Sequence, residues 1–193
     1  MGRMLDPVDT DEGLLKRYAR GDGPAFAILY RRHEARIWRY LVRNVTSRAI
    51  AEELTQEVWF AVAREAERYQ PTARFTTWLF TIAHNRMVDA ARSARRQVSL
   101  DELGHESAPV IEQLTLAPAA GPLAATVTRE EGAALAQALA QLPAEQREAF
   151  LLHIEGELTV EEVAGVTAAT FETAKSRIRY ARAKLRELLS EFA

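Results

Sequence analysis

The sequence predicts an all-α protein built as two small helical domains joined by a linker, and three observations carry that prediction. Apolar side chains recur at the three- and four-residue spacing of an amphipathic helix through residues 11–97, and again from about residue 129 onward. Between these blocks, over Gln97–Thr128, the periodicity fails. There Pro109, Pro118, Gly121 and Pro122 punctuate an acidic, alanine-rich run with the composition of a flexible linker. The last block closes with a short helix, a tight turn and a longer basic helix, the arrangement of a helix-turn-helix. The expected boundaries are 1–97 for the first domain, 98–128 for the linker and 129–193 for the second.

Residues 11–20 read as a short helix that Asp9, Thr10 or Asp11 can cap and that Gly21-Asp22-Gly23-Pro24 ends. In the next helix Phe26, Leu29, Tyr30, His33, Ile37, Tyr40 and Leu41 form one apolar stripe on a basic background, through about Asn44. A third helix, Ser47 to Arg68, turns Ile50, Leu54, Val58 and Ala61 inward. Trp59 and Phe60 are neighbours and cannot both join that stripe. One of them, with Glu53, Gln56 and Glu57, forms a partner-binding surface on one reading; on the other, the acidic face is simply solvated.

The stretch Tyr69–Arg96 organises the rest. After the breaker Pro71 it reads as a helix on which Trp78, Ile82, Asn85, Asp89 and Arg92 share one face. That stripe begins apolar and ends polar, so its first half suits a core. The second half carries Asn85, Arg86, Arg92, Arg95 and Arg96 into solvent or onto an anionic partner. An aromatic-rich loop feeding a basic helix suits unstacked bases beside phosphates. Asn85 is a mediocre helix former set between an apolar and a basic turn, and structural and functional readings of it stand side by side.

In the second block a helix over Arg129–Gln141 is broken by Leu142-Pro143, and another runs over Ala144–Glu155, burying Phe150, Leu151 and Ile154 before Gly156 stops it. Thr159 caps a short helix with Glu162 completing a capping box, and this helix ends near Val166. After the turn Thr167–Thr170, the last helix sets Ala174, Ile178, Ala181, Leu185 and Leu188 on one face. At 100° per residue, Thr173, Ser176, Arg177 and Tyr180 point the other way, flanked by Lys175, Arg179, Arg182 and Lys184. Outward residues of such a helix reach base edges in the major groove, and flanking cations hold phosphates. A merely solvated basic helix is the alternative.

Bulk properties exclude several function classes. The chain has no cysteine, which removes disulfides, thiolate metal sites and cysteine nucleophiles. It has no apolar run of membrane-spanning length, and its N-terminus MGRMLDPVDTDEG lacks the order of a signal peptide, so a cytoplasmic protein without membrane insertion is expected. The four histidines, 33, 84, 105 and 153, are scattered, and there is no phosphate-binding glycine loop or metal spacing. No catalytic residue, metal or cofactor is expected, and the chain is not read as an enzyme.

Net charge is only −2, yet its distribution is uneven. Thr72–Gln97 holds five arginines against one aspartate, +4. Glu172–Arg186 holds six basic residues against one glutamate, +5, and Val98–Glu131 between them carries −5. Two basic patches separated by an acidic spacer are the electrostatic footprint of a nucleic-acid binder.

The segments ELTQEV at 53–58, TWLFTIAHN at 77–85 and the Asp89–Arg96 tail resemble the second conserved region of bacterial RNA polymerase sigma factors, of the extracytoplasmic-function (ECF, group IV) type. LPAEQREAFLL at 142–152, LTVEEVA at 158–164 and TAKSRI at 173–178 resemble the fourth region of the same family. The resemblance implies a protein that binds core RNA polymerase and directs initiation at promoters. Its first domain would bind the polymerase and the melted −10 element, and its second the −35 element as duplex. By correspondence, Glu53, Gln56 and Glu57 dock on the clamp helices of the β-prime subunit, with the β flap as a further contact. Tyr69, the loop Gln70–Arg74 and Asn85 would form the pocket for a base flipped from the non-template strand. Arg86, Arg92, Arg95 and Arg96 would line the −10 side. Thr173, Lys175, Ser176, Arg177, Arg179, Tyr180 and Arg182 would face the −35 duplex. An anti-sigma factor is an implied partner. Three departures from the family stand out: Gln70-Pro71-Thr72 in place of a glycine-containing turn, and Ala168 and Glu172 where glycines are common. Alanine resists positive φ, which points to a rearranged turn.

A rival reading is a stand-alone helix-turn-helix repressor or activator. Such a protein binds duplex DNA by itself, as a dimer on half-sites one helical turn apart.

Overall fold

A computed structural model describes residues 10–101 and 129–190, with the side chains of 95–101 and 129–131 outside that description; the expected linker, 98–128, falls almost wholly outside it. Among the described residues the chain is helical, with no strand.

The first domain holds α1 (Asp11–Ala19), α2 (Gly23–Asn44), α3 (Arg48–Glu65), a single 3₁₀ turn (Ala66–Arg68) and α4 (Phe75–Asp101), which passes the expected boundary at 97. Side-chain oxygens of Thr10, Asp22 and Ser47 accept backbone N–H groups at the starts of α1, α2 and α3. Such caps contribute about 1 kcal/mol each, whereas burying one large apolar side chain contributes about 1.5–3 kcal/mol. The stripe of α2, with Leu29, Ile37, Tyr40 and Leu41 fully buried, therefore outweighs its cap. Leu14 and Leu15 of α1, Val58 and Val62 of α3, and Phe75, Leu79 and Phe80 of α4 complete the core. Ile50, expected inside, is 38% exposed and Ala51 is buried instead. Of the two neighbouring aromatics Trp59 turns inward, against Tyr30 at 4.9 Å and Phe26 at 5.9 Å, and Phe60 turns outward.

The second domain holds α5 (Arg129–Ala140), α6 (Ala144–Glu155), α7 (Val160–Val166) and α8 (Phe171–Leu189). The capping box at Thr159 and Glu162 forms reciprocally, 3.2 Å from Glu162 N to Thr159 Oγ1 and 2.8 Å from Thr159 N to the Glu162 carboxylate. Ala174, Ile178, Ala181 and Leu185 of α8 are buried as their spacing requires. On α6 the inward set is Ala149, Leu151, Leu152 and Glu155, while Ile154, expected inside, is exposed. The α6–α7 corner is tight at Gly156, where a Cβ would lie 2.4 Å from the Leu152 carbonyl oxygen and 2.5 Å from Leu158 Cδ1. The α7–α8 turn is not rebuilt around its alanine: Ala168 adopts φ 50°, the left-handed conformation that glycine takes without cost.

The two domains dock on each other through charge. Arg36, Arg39 and Arg43, successive positions on one face of α2, converge on the C-terminus of α6. Arg36 donates to the Glu155 carbonyl at 2.6 Å, and Arg39 and Arg43 to its carboxylate at 2.8 and 2.7 Å. Glu155 is 6% exposed, a buried anion answered by Arg39 and Arg43, while Arg36 meets the negative helix end and pairs with Glu157 at 3.3 Å. Burial holds the Arg43 guanidinium below its usual value, with Arg39 adding to the effect and Glu155 opposing it. Beside this cluster Tyr40 Oη donates to Glu148 at 3.1 Å, and His84 Nδ1 lies 2.6 Å from the same carboxylate.

Candidate nucleic-acid and partner interfaces

Tyr69 leaves the 3₁₀ turn in extended backbone and sets its ring against Trp78 at 4.8 Å and Phe75 at 6.5 Å, with its hydroxyl donating to the Ala73 carbonyl at 3.2 Å. Partial burial pushes its phenol up to about 12, and the charges of Glu12 and Asp11 add to the effect. Tyr69 is therefore neutral at physiological pH, a stacking surface rather than a titrating group. Gln70 and Arg74 on the following loop are exposed. Along the α4 face, Trp78 is half-buried and Ile82 buried, while Asn85, Asp89 and Arg92 are exposed, so the apolar-to-polar change falls where the sequence placed it. Arg86 is half-buried, and Arg92 lies 3.9 Å from Asp89. The Arg95 and Arg96 side chains lie outside the described residues.

Arg74 has a second engagement that sequence reasoning missed. Its guanidinium donates to the Glu162 carboxylate at 2.6 and 3.0 Å and to the Glu157 carbonyl at 2.9 Å, and Thr77 Oγ1 donates to Glu162 at 2.6 Å. These bonds, that from Arg74 first, hold the Glu162 carboxyl down at about 2. The Arg36, Arg39 and Arg43 cluster was missed as well. Its only sequence signal is basic residues spaced three and four apart on α2, which read as no more than the basic background of an apolar stripe.

On α3, Glu53, Gln56, Glu57 and Phe60 are all exposed and share one side of the helix, with Phe60 71% exposed. An aromatic ring left in water beside carboxylates and an amide is the composition of a contact surface.

On α8, Thr173, Lys175, Arg179, Tyr180 and Arg182 are exposed, whereas Ser176 and Arg177 are half-buried. Arg177 was expected to point outward; its guanidinium instead turns back to pair with Glu145 at the start of α6, because that carboxylate is within reach of its flank. Thr173 Oγ1 lies 2.8 Å from Oγ1 of the capping Thr170. Arg179 stacks over Tyr180 at 4.9 Å, and Lys175 sits 3.6 Å from Glu172 and 5.6 Å from the Phe171 ring. Among the described residues no cluster of three or more histidine or carboxylate side chains could hold a metal ion.

Residues 29–97 match the model of Sigma-70 region 2, and residues 132–185 match that of Sigma-70 region 4. The ECF RNA polymerase sigma factor RpoE of Cereibacter sphaeroides is 34% identical, over 97% of this chain and 100% of its own length. The chain belongs to the ECF RNA polymerase sigma factors. The RNA polymerase sigma factor CarQ of Myxococcus xanthus is a further relative, 35% identical over 92% of this chain and 96% of its own. Two solved structures share the fold at 22% identity. RpoE of Bartonella quintana, crystallised with the anti-sigma factor NepR, has a TM-score of 0.64 over 86% of this chain and 96% of its own. CnrH, in complex with the cytosolic domain of CnrY, has a TM-score of 0.63 over 96% of this chain and 100% of its own. As an ECF sigma factor the chain directs promoter-specific initiation by RNA polymerase, and the stand-alone regulator is not favoured. The family consists of initiation factors rather than enzymes.

Proposed function

We propose that this sigma factor reads its promoter with two separate surfaces and meets the polymerase with a third. The front domain, 1–97, offers Tyr69, Gln70, Arg74, Asn85, Arg86, Arg92, Arg95 and Arg96 to the melted −10 strand. The rear domain, 129–193, presents Thr173, Lys175, Ser176, Arg177, Arg179, Tyr180 and Arg182 to the −35 duplex. Glu53, Gln56 and Glu57, joined by Phe60, form the docking face for the clamp helices of the β-prime subunit, and the β flap is a further contact. Residues 98–128 link the two domains.

The observation that carries the −10 assignment is the meeting of an aromatic shelf and an open amide on one stretch. Tyr69 leans on Trp78, and Asn85, two turns further along the same helix face, is exposed and makes no side-chain hydrogen bond among the described residues. Extruding a base costs a few kcal/mol. Stacking contributes about 1–3 kcal/mol per base, and an amide hydrogen bond adds to it. The test is run-off transcription with reconstituted core polymerase on a promoter selected from randomised DNA. Asn85→Ala is expected to impair strand opening and leave polymerase binding intact; equal loss of both would assign Asn85 a structural role.

One further partner of the wider reading follows from a relative. RpoE of Bartonella quintana is bound by an anti-sigma factor, and we infer a comparable inhibitor for this chain. No helix among the described residues is long and apolar enough to cross a membrane, which supports a cytoplasmic site of action.

A further inference from the structure

The start of α4 lacks a local cap. Arg74 occupies the cap position, its carbonyl accepting from Trp78 N at 3.2 Å, but its side chain carries only donors and cannot accept an N–H. The acceptor comes from α1 instead: Glu12 Oε1 receives the Phe75 N–H at 2.8 Å, across 63 residues of sequence. The adjacent Asp11 fixes His33, its carboxylate 2.6 Å from Nε2, and the His33 ring packs on Phe75 at 5.3 Å. Helix α1 also packs against the Ala66–Arg68 turn, and buries Leu14 and Leu15 completely. It therefore holds both ends of the segment Tyr69–Arg74, the 3₁₀ turn that leads in and the helix that leads out. The charges of Glu12 and Asp11 reach Tyr69 itself, adding to the rise of its phenol. Helix α1 lies before residue 29, where the region 2 match begins.

We propose that Glu12 is a positioning residue for −10 strand recognition: from α1 it caps α4 at Phe75 and thereby fixes the shape of the Tyr69–Arg74 loop that receives the unstacked base. The inference rests on the assignment of that loop to the melted strand. A carboxylate at this place gains from the helix dipole as well as the hydrogen bond. Its loss leaves the Phe75 N–H at the start of α4 unmet and lets the loop sample other shapes, which lowers apparent affinity by the fraction of competent loop lost.

The experiment uses holoenzyme reconstituted with core RNA polymerase and two probes made from its selected promoter. One is a forked template with a single-stranded −10 element, the other a duplex carrying only the −35 element. Glu12→Ala is expected to weaken forked-template binding by about fivefold, the equivalent of one lost cap, and to leave −35 duplex binding unchanged. Amide exchange at residues 75–77 should accelerate in the same variant. Glu12→Gln, whose amide oxygen can still accept from Phe75 N, is expected to restore most of the loss. Equal damage in Glu12→Ala and Glu12→Gln would assign the effect to charge and overturn the capping role. Unchanged forked-template binding in Glu12→Ala, with Asn85→Ala still defective, would overturn the role of Glu12 alone. No defect in either variant would remove the pocket assignment along with it.

Discussion

Arg74 and Glu162, 88 residues apart in the chain, meet at 2.6 Å across the two domains. The pairing sets two uses of Arg74 against each other. A guanidinium held by the carboxylate that caps the first helix of the helix-turn-helix is not available to the phosphate of a melted strand. Glu162→Gln separates these uses, because glutamine can keep the capping box but not the charge. It is expected to loosen domain docking and increase the radius of gyration in small-angle scattering, with helix content unchanged.

The same pair gives docking a pH dependence of defined sign. The Glu162 carboxyl stands at about 2, below its ordinary 4.5, so its contribution is complete above about 4.5 and is lost as pH falls toward 2. Fluorescence energy transfer between dyes on the two domains should fall over that window. In Glu162→Gln this component of the change should be absent.

Glu155→Ala removes the anion that Arg39 and Arg43 share, while the backbone carbonyl that Arg36 meets remains. Breaking a buried pair costs about 3–5 kcal/mol, and the lower end applies because the Arg39 and Arg43 side chains remain 23% and 18% exposed. The expected outcome in calorimetry is that a single unfolding transition splits into two, one per domain.

Phe60→Ala should leave stability nearly unchanged, since the ring is 71% exposed, and should weaken binding to core polymerase by about 2 kcal/mol if it is an aromatic anchor. Val58→Ala, a core change two residues away, should reverse that pattern. Titration of labelled chain against core polymerase, beside thermal melting, distinguishes the two.

Arg177→Ala is expected to weaken −35 duplex binding by about 1–3 kcal/mol at one base pair. Because Glu145 holds Arg177 in the free chain, Glu145→Ala should shift duplex affinity in the opposite direction. Competition binding against single-base variants of the −35 duplex reads both. A uniform loss across sequences would reassign Arg177 to phosphate.

The helices were legible because their signals are local. The spacing of Leu29, Ile37 and Leu41, and the offset between Thr159 and Glu162, need only near neighbours to be interpreted. Glu155 and Ile154 show where this stops. Helical spacing placed the isoleucine inside and gave no reason to bury the glutamate, yet α2 brings three guanidiniums to that spot and reverses the order. Glu12 was illegible for the same reason, since its partner Phe75 N is remote in sequence. Ala168 failed differently: the intrinsic preference was judged correctly, but the packing of α7 on α8 overrides a local cost of about 1–2 kcal/mol.

The close approach at Gly156 has a mechanical consequence. A side chain at Gly156 would strike the Leu152 carbonyl oxygen and Leu158, so any larger residue there must open the α6–α7 corner that sets the spacing between the buried Glu155 and the paired Glu162. A wider corner would carry one anchor off its guanidinium partners while the other stayed seated.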